Sequence, residues 1–290
     1  MTGPKGVTGA LAGVRGLLLD LDGVLLLAGR PIPGAADAIR ALDARRVPYR
    51  IVTNTSVWSR PTLSRYSESL GLSIPPSRIL SALSVSAAYT REHFDGRPIY
   101  VLATDDARIE FDGQRLLSHE NAAAPGARAA AGVIGDAPDE ANYANLNVAF
   151  RLIRGGAQLI GMHRNRWWIT PEGPTLDSGA FVAGLEFASG AKAVVLGKPS
   201  IAFFAQAARE LAAEVAASGG GRSRKRDFAM VGDDLWTDVL AAQRAGLRGV
   251  FVLSGKHGRE ELAKAAAQRR GGGRPDVVAG SLAELVAELD

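Results

Sequence analysis

Two acids stand one residue apart at the end of an apolar run, Leu17-Leu18-Leu19-Asp20-Leu21-Asp22-Gly23. Alternate side chains of a strand share a face, so Asp20 and Asp22 would point the same way. Paired carboxylates repel one another and lose hydration on burial unless a cation or a proton comes between them. The pair therefore predicts a metal site. Gly23 lets the chain leave the strand sharply, which would put both acids at the carboxyl end of a sheet, where open α/β folds hold their ligands. D-x-D also occurs in solvated turns, so the choice between the two rests on the rest of the chain.

Cleaving a phosphate ester takes a nucleophile, a proton donor for the leaving oxygen, and fixed positive charge around the transferring group. Asp20, ionised near neutral pH, is able to attack phosphorus and form an aspartyl-phosphate. Asp22 is placed to protonate the leaving group and then to deprotonate water, a task for which proximity to Asp20 would raise its pKa. Thr53 and Asn54 offer a hydroxyl, an amide and backbone N–H groups as a neutral cradle for phosphate oxygens. Lys198, between Gly197 and Pro199, supplies a cation. A further acidic set, Asp233, Asp234 and Asp238, follows the apolar Phe228–Gly232. Oxygen donors alone suit Mg²⁺ better than Zn²⁺.

These residues need elements to bring them together. Short apolar strands are expected at Gly16–Leu21, Pro48–Thr53, Ala193–Gly197, Phe228–Gly232 and Gly249–Leu253, alternating with helices at Gly34–Arg46, Arg60–Leu70, Ser200–Ala217 and Leu235–Ala245. That alternation is the pattern of a parallel sheet wrapped by crossovers, an α/β fold with a doubly wound parallel sheet. Each of the first four strands ends in polar residues. The middle of the chain reads as an insertion with its own strands (Pro98–Leu102, Ala131–Ile134, Ala157–Gly161) and an amphipathic helix over Glu140–Arg154. The expected organisation is thus a core of residues 1–82 and 189–290 with an inserted α/β cap at 83–188. Gly271-Gly272-Gly273-Arg274-Pro275 reads as a turn before a last strand and helix, not as a linker.

The chain has 290 residues, enough for one large domain or two modest ones with real cores. At 47% hydrophobic and 22% charged it has the composition of a soluble globular protein. No apolar run reaches membrane-spanning length, and Met1-Thr2-Gly3-Pro4-Lys5-Gly6 lacks the apolar core of a secretion signal, so a cytoplasmic protein without membrane contact is expected. The absence of cysteine excludes disulfides, thiolate metal sites and thiol catalysis. A formal net charge of +4 is a small excess over this length. The dense basic run Arg222-Ser223-Arg224-Lys225-Arg226 lacks nearby aromatics for base stacking and reads as a solvated loop, so no nucleic-acid partner is expected.

Taken in this order, the motifs resemble the haloacid dehalogenase (HAD) superfamily, in its nitrophenyl-phosphatase-like branch with an inserted α/β cap. Asp20-Leu21-Asp22-Gly23-Val24 matches the first motif, Thr53-Asn54-Thr55-Ser56 the second, Gly197-Lys198-Pro199 the third, and Gly232-Asp233-Asp234 with Asp238 the fourth. Leu176-Asp177-Ser178-Gly179, Gly190-Ala191-Lys192-Ala193 and Pro199-Ser200-Ile201-Ala202-Phe203-Phe204 look most like the subfamily of phospholysine, phosphohistidine and pyrophosphate phosphatases. The resemblance implies a Mg²⁺-dependent phosphatase acting on a small phosphorylated metabolite. Asp20 would be nucleophile and metal ligand, and Asp22 acid/base and a ligand through its backbone carbonyl. Thr53, Asn54 and Lys198 would bind the phosphoryl group, Asp233 would complete the metal site, and Asp234 and Asp238 would support it. Mammalian members of that subfamily carry Ser at the position of Asp22, and the acid here favours esters with poor leaving groups. Residues Asn165–Trp168 and Thr175–Ser178 are candidates for facing the leaving group, and a homodimer through the cap is expected. Two other functions stay open: a phosphate- or metal-responsive binding protein, and a phosphotransferase using the same aspartate.

Three further signals carry little. Gly249–His257 is similar to a P-loop, but its glycines are one residue too far apart and His257 stands where a hydroxyl residue would hold Mg²⁺. Asn54-Thr55-Ser56 fits a glycosylation sequon with no secretion signal to make it relevant. His93, His119, His163 and His257 are dispersed without H-E-x-x-H pairing and read as surface or packing residues.

Overall fold

The computed structural model describes residues 11–170, 172–267 and 273–289. The stretch Met1–Gly6 and the glycines Gly271 and Gly272 of the expected turn lie outside the described residues. The chain divides into two compact units, one of residues 1–53, 64–80 and 198–290, the other of residues 54–63 and 81–197.

The first unit is built on a six-stranded sheet in the order Val277–Ala279, Arg248–Val252, Phe228–Gly232, Gly16–Leu19, Tyr49–Thr53, Ile79–Ser81. The pairings from Val277–Ala279 through to Tyr49–Thr53 are all parallel. A parallel sheet covered on both faces needs strands that are apolar throughout, not alternating. Gly16–Leu19 and Phe228–Gly232 are buried at every position, which is that pattern. From Gly16–Leu19 the chain builds outward to one side through Tyr49–Thr53, then returns to build the other side through Phe228–Gly232. The order reverses at this strand, and such a switch point opens a crevice beyond the carboxyl ends of its two neighbours.

The helices supply the covering faces. Ala35–Ala44 buries Ala35, Ala38, Ile39 and Leu42, and Ile201–Ala217 buries Phe203, Phe204, Ala207, Ala208, Leu211 and Val215, each set at helical spacing. The expected helix at Leu235–Ala245 is not uniform: Leu235–Val239 is a π-turn that passes into α-helix at Leu240–Arg244. Such wide turns inside helices concentrate at functional sites.

The second unit has its own four-stranded parallel sheet, ordered Val194–Val195, Gln158–Gly161, Ala131–Ile134, Ile99–Leu102. Helix Tyr143–Arg154 buries Val148, Ala149, Leu152 and Ile153 in a cluster with Tyr100, Ile134 and Leu159. Helix Ala82–His93 opens with reciprocal bonds between Ser81 and Ser84, each hydroxyl accepting the other residue's backbone N–H at 3.0 Å. Trp167–Thr170 and Gly173–Leu176 form an antiparallel hairpin on which Trp167 and Trp168 are exposed.

One expectation is corrected. Ala193–Gly197 is expected among the strands of the core series, yet its ordered part, Val194–Val195, pairs with Gln158–Gly161 in the second unit's sheet. The apolar run is legible locally, whereas the sheet it joins is decided by tertiary pairing. Among the described residues, no helix is long and apolar enough to cross a membrane.

Leu18 is fully buried in the strand on which the first unit is centred. Leu18→Ala is expected to lower the stability of that unit by about 2–5 kcal/mol through lost transfer energy and a residual cavity, read as a lower urea midpoint at unchanged slope.

Candidate active site

The register of the central strands brings separate acids to one place. Leu19 pairs with Val231 on one side and with Ile51 on the other, and the N–H of Asp20 donates to the Val231 carbonyl at 3.0 Å. Asp20 therefore leaves the sheet beside Asp233, with Thr53 closing the neighbouring strand. Carboxylate oxygens of Asp20, Asp233 and Asp238 lie within 4.8 Å of one another, and all three residues are buried.

Lys198 anchors this group. Its Nζ lies 2.7 Å from Asp20 Oδ1 and 2.9 Å from Asp238 Oδ1, and the residue is only 3% exposed. Asp20 Oδ1 also accepts the backbone N–H of Leu21 at 2.8 Å, so two donors fix the orientation of that carboxylate. Asp238 comes to Lys198 from the π-turn and holds its own place by accepting the Asp234 N–H through Oδ2 at 3.2 Å. Gly232 is required here: a Cβ on it would collide with the side chain of Asp238.

Asp233 is held by backbone on two sides. Its Oδ2 accepts the N–H of Lys256 at 2.6 Å. A Cβ on either Gly23 or Gly255 would overlap its carboxylate, and Gly23 has φ +78°, a conformation open mainly to glycine. Ser254 Oγ ties the two loops by donating to the Gly23 carbonyl at 2.7 Å. The segment Ser254–Lys256, which as sequence only resembled a failed P-loop, thus positions a buried acid. The signal available was Gly255, a glycine just past a strand end, but nothing local shows which side chain needs the space.

The electrostatics follow from three acids around one ammonium. Burial pushes the Asp20 carboxyl up to about 6, against the pull of Lys198 and with a further push from Asp233. Burial likewise carries Asp233 up to about 7, with repulsion from Asp238 adding to it. Asp238 is raised well above the usual range by burial and by Asp20. Burial disfavours the charged form of Lys198, but Asp20 and Asp238 outweigh it and hold the ammonium more firmly than in water. Asp22 remains exposed past the strand end, although the surrounding protein removes enough hydration to raise its carboxyl against the pull of Lys198. Asp234 differs: burial alone would raise it, yet Lys256, 3.1 Å away, and the Thr237 N–H hold it low. It caps the π-turn by accepting from Trp236 and Thr237 at 3.1 and 3.0 Å.

Of the residues expected from sequence, Asp20, Lys198, Asp233 and Asp238 are brought into direct proximity. Thr53 is buried at the end of its strand. Asn54 belongs to the second unit, where its amide donates to Asn165 Oδ1 at 3.1 Å. The side chain of Asp22 is not part of the carboxylate group. With all groups ionised the cluster holds three negative charges against one positive, all on hard oxygen donors, and a hard divalent cation fits that deficit. His257, expected at a surface or in packing, accepts the Leu235 N–H through Nδ1 at 3.1 Å. His163 is buried in the second unit beside two further carboxylates.

The chain is similar to known proteins along most of its length. Residues 17–116 match the family described as haloacid dehalogenase-like hydrolase, and residues 195–285 match a HAD-hydrolase-like family. The chain is 36% identical over 244 residues to haloacid dehalogenase-like hydrolase domain-containing protein 2 of Bos taurus, covering 84% of this chain and 86% of that one. It is 34% identical over 252 residues to phospholysine phosphohistidine inorganic pyrophosphate phosphatase of Homo sapiens, covering 85% of each. Among solved structures it is similar to the 4-nitrophenylphosphatase of Thermotoga maritima, with a TM-score of 0.78, 25% identity and coverage of 96% of this chain and 98% of that one. The p-nitrophenyl phosphatase of Archaeoglobus fulgidus superposes with a TM-score of 0.79 at 25% identity, covering 95% and 99%.

Gly255→Ala would drive a methyl group into the Asp233 carboxylate. The expected result is a loss of about 1–3 kcal/mol of stability through overpacking, read as a lower urea midpoint with the far-UV spectrum in buffer unchanged. An unaltered midpoint would show that Asp233 does not need this close approach.

Proposed function

Because the chain belongs to the haloacid dehalogenase-like hydrolase family and is a phosphatase of that family, we propose that it hydrolyses a small phosphate monoester through an aspartyl-phosphate on Asp20, with Mg²⁺. The observation that carries this reading is the Lys198 ammonium held between Asp20 and Asp238, with the Asp233 carboxylate in the same group. A cation fixed against a nucleophilic carboxylate is placed to meet the charge of a phosphoryl group as it transfers.

The residues divide the work. An oxygen of Asp20 attacks phosphorus as the bond to the leaving oxygen breaks, and the protonated carboxyl of Asp22 delivers its proton to that oxygen. Water then attacks the phosphorus of the acyl phosphate while Asp22, now a carboxylate, takes the water's proton. The bond from phosphorus to Asp20 breaks and the carboxylate is restored with release of phosphate. Asp22 has its carboxyl raised above the usual range by the burial around it, which favours the protonated form this step draws on. Its exposure lets it exchange protons with solvent between turnovers. Lys198 and the buried hydroxyl of Thr53 bind phosphoryl oxygens, with Asp238 holding the ammonium in line.

Asp20, Asp233 and the backbone carbonyl of Asp22 would hold Mg²⁺. When bound, the ion supplies charge neutralisation for carboxylate and phosphate oxygens that would otherwise repel. A proton-donating Asp22 matters most for alkyl and sugar phosphates, whose alkoxide leaving groups are poor. The substrate proposed is therefore an ester of that kind, rather than the phospholysine, phosphohistidine or pyrophosphate in the name of the human relative.

Asp20→Asn is expected to abolish release of phosphate from an aryl phosphate, and EDTA to do so reversibly upon Mg²⁺ addition. Full activity of Asp20→Asn would defeat the assignment. Asp22→Asn is expected to cost about 10²- to 10⁴-fold on an alkyl phosphate and clearly less on 4-nitrophenyl phosphate, whose leaving group needs little protonation. Equal losses on the two substrates would exclude Asp22 as the proton donor. A phosphate-release screen over sugar phosphates, nucleotides, pyrophosphate and phosphoamino acids would place the substrate.

A further inference from the structure

The second unit holds a cluster that the phosphatase chemistry does not use. His163 is 1% exposed and Asp177 is 5% exposed, and with Asp136 they present ligand atoms all within 4.8 Å of one another. They come from three places: Asp136 two residues after strand Ala131–Ile134, His163 two residues after Gln158–Gly161, and Asp177 at the end of the hairpin. Gly179 lets the Asp177–Ser178 segment lie against Arg164–Asn165, since a Cβ there would collide with that backbone.

The surroundings of the imidazole Nε2 are unusual for a hydrogen-bonded histidine. Asp136 Oδ2 lies 3.1 Å away, Ser178 Oγ 3.1 Å, Ser56 Oγ 3.4 Å and Asp177 Oδ1 3.6 Å. The Ser56 hydroxyl donates to Asp136 Oδ2 at 2.7 Å, which leaves at most one proton on Nε2 for the two carboxylates that face it. The arrangement is not a nucleophilic triad, because the acid and the hydroxyls share Nε2, while Nδ1 faces the Asn165 N–H at 3.3 Å.

A metal ion explains the crowding. For ligand bonds of about 2.0–2.1 Å in a tetrahedral shell, neighbouring donor atoms stand about 3.3 Å apart. The separations of 3.1 and 3.6 Å from Nε2 to the two carboxylates bracket that value. We propose that Asp136, His163 and Asp177 form a binding site for Zn²⁺ or a similar borderline divalent ion, with Ser178 Oγ or a water as fourth ligand. One imidazole and two carboxylates suit Zn²⁺ better than the wholly oxygen-lined Asp20 group does. The ion displaces the proton from Nε2. The imidazole proton then resides on Nδ1, and the Asn165 contact, already long at 3.3 Å, opens. The site shares no residue with the Asp20 group, so either reading can fail without the other.

The test removes the first site and reads the second. In the doubly substituted D20N/D233N protein, Co²⁺ is expected to bind at one per chain with the intense visible absorption of tetrahedral coordination, and Zn²⁺ to displace it. The cysteine-free chain adds no thiolate bands. Adding His163→Gln or, separately, Asp177→Asn is expected to weaken Co²⁺ binding more than about tenfold and to erase that absorption. Thermal melts establish that each variant is folded. If neither is, imidazole ¹⁵N shifts of the D20N/D233N protein decide: a Zn²⁺-induced shift of His163 upholds the site. Absence of a tetrahedral Co²⁺ spectrum, affinity unchanged by both variants, or Zn²⁺ shifts confined to other histidines overturns it.

Discussion

The first unit depends on one ammonium lodged between two buried carboxylates. Lys198 neutralises one unit of charge at Asp20 and Asp238, and without it three acids would face one another with little water to separate them. Removing one member of such a group leaves an uncompensated buried charge, which costs more than the intact pair contributes. The balance is left incomplete, since one ammonium faces three carboxylates and its pull on Asp233 is outweighed by burial and by Asp238. That residual negative charge suits a cation, and burial, with a further push from a neighbouring acid, raises the carboxyls of Asp20 and Asp233.

Backbone shape follows from that grouping. Gly232, Gly23 and Gly255 stand where any side chain would strike Asp238 or Asp233, so three separate loops can close to van der Waals distance of the carboxylates. The π-turn over Leu235–Val239 carries Asp238 at its Lys198 contact while Asp234 caps its start. Asp233 and Asp234 are adjacent in sequence but opposite in behaviour. One accepts a single backbone N–H and is raised, while the other is met by Lys256 and backbone donors and is lowered.

Much of this was legible in the chain. The apolar strands announced themselves by composition, and the acids at their ends, Asp20 and Asp233, could be placed at the sheet's carboxyl edge because parallel strands all end there. Lys198 was found through its neighbours Gly197 and Pro199, although the strand before it belongs to the other unit's sheet. What the chain did not disclose were relations between distant segments. Gly255 is an ordinary turn glycine until Asp233 is seen against it. His163 reads as a lone packing residue, for Asp136 lies 27 positions before it and Asp177 lies 14 after it. No local periodicity links strand ends brought together only by sheet pairing.

The two clusters solve the same physical problem with different donors, and the difference decides what each can bind. Around Asp20 the fixed positive charge is an ammonium, which cannot ligate a metal while protonated, so the oxygens remain for a hard ion and for phosphoryl chemistry. Around Asp136 and Asp177 the central group is an imidazole, able to present either a proton or a lone pair. With its proton it satisfies one carboxylate and leaves the second to be neutralised by a proton of its own, consistent with Asp177 being pushed up to about 7 by burial against the pull of His163. With its lone pair it becomes a ligand alongside both acids. A lysine in that place would have closed off the second state, and a third carboxylate would have turned the preference toward harder ions.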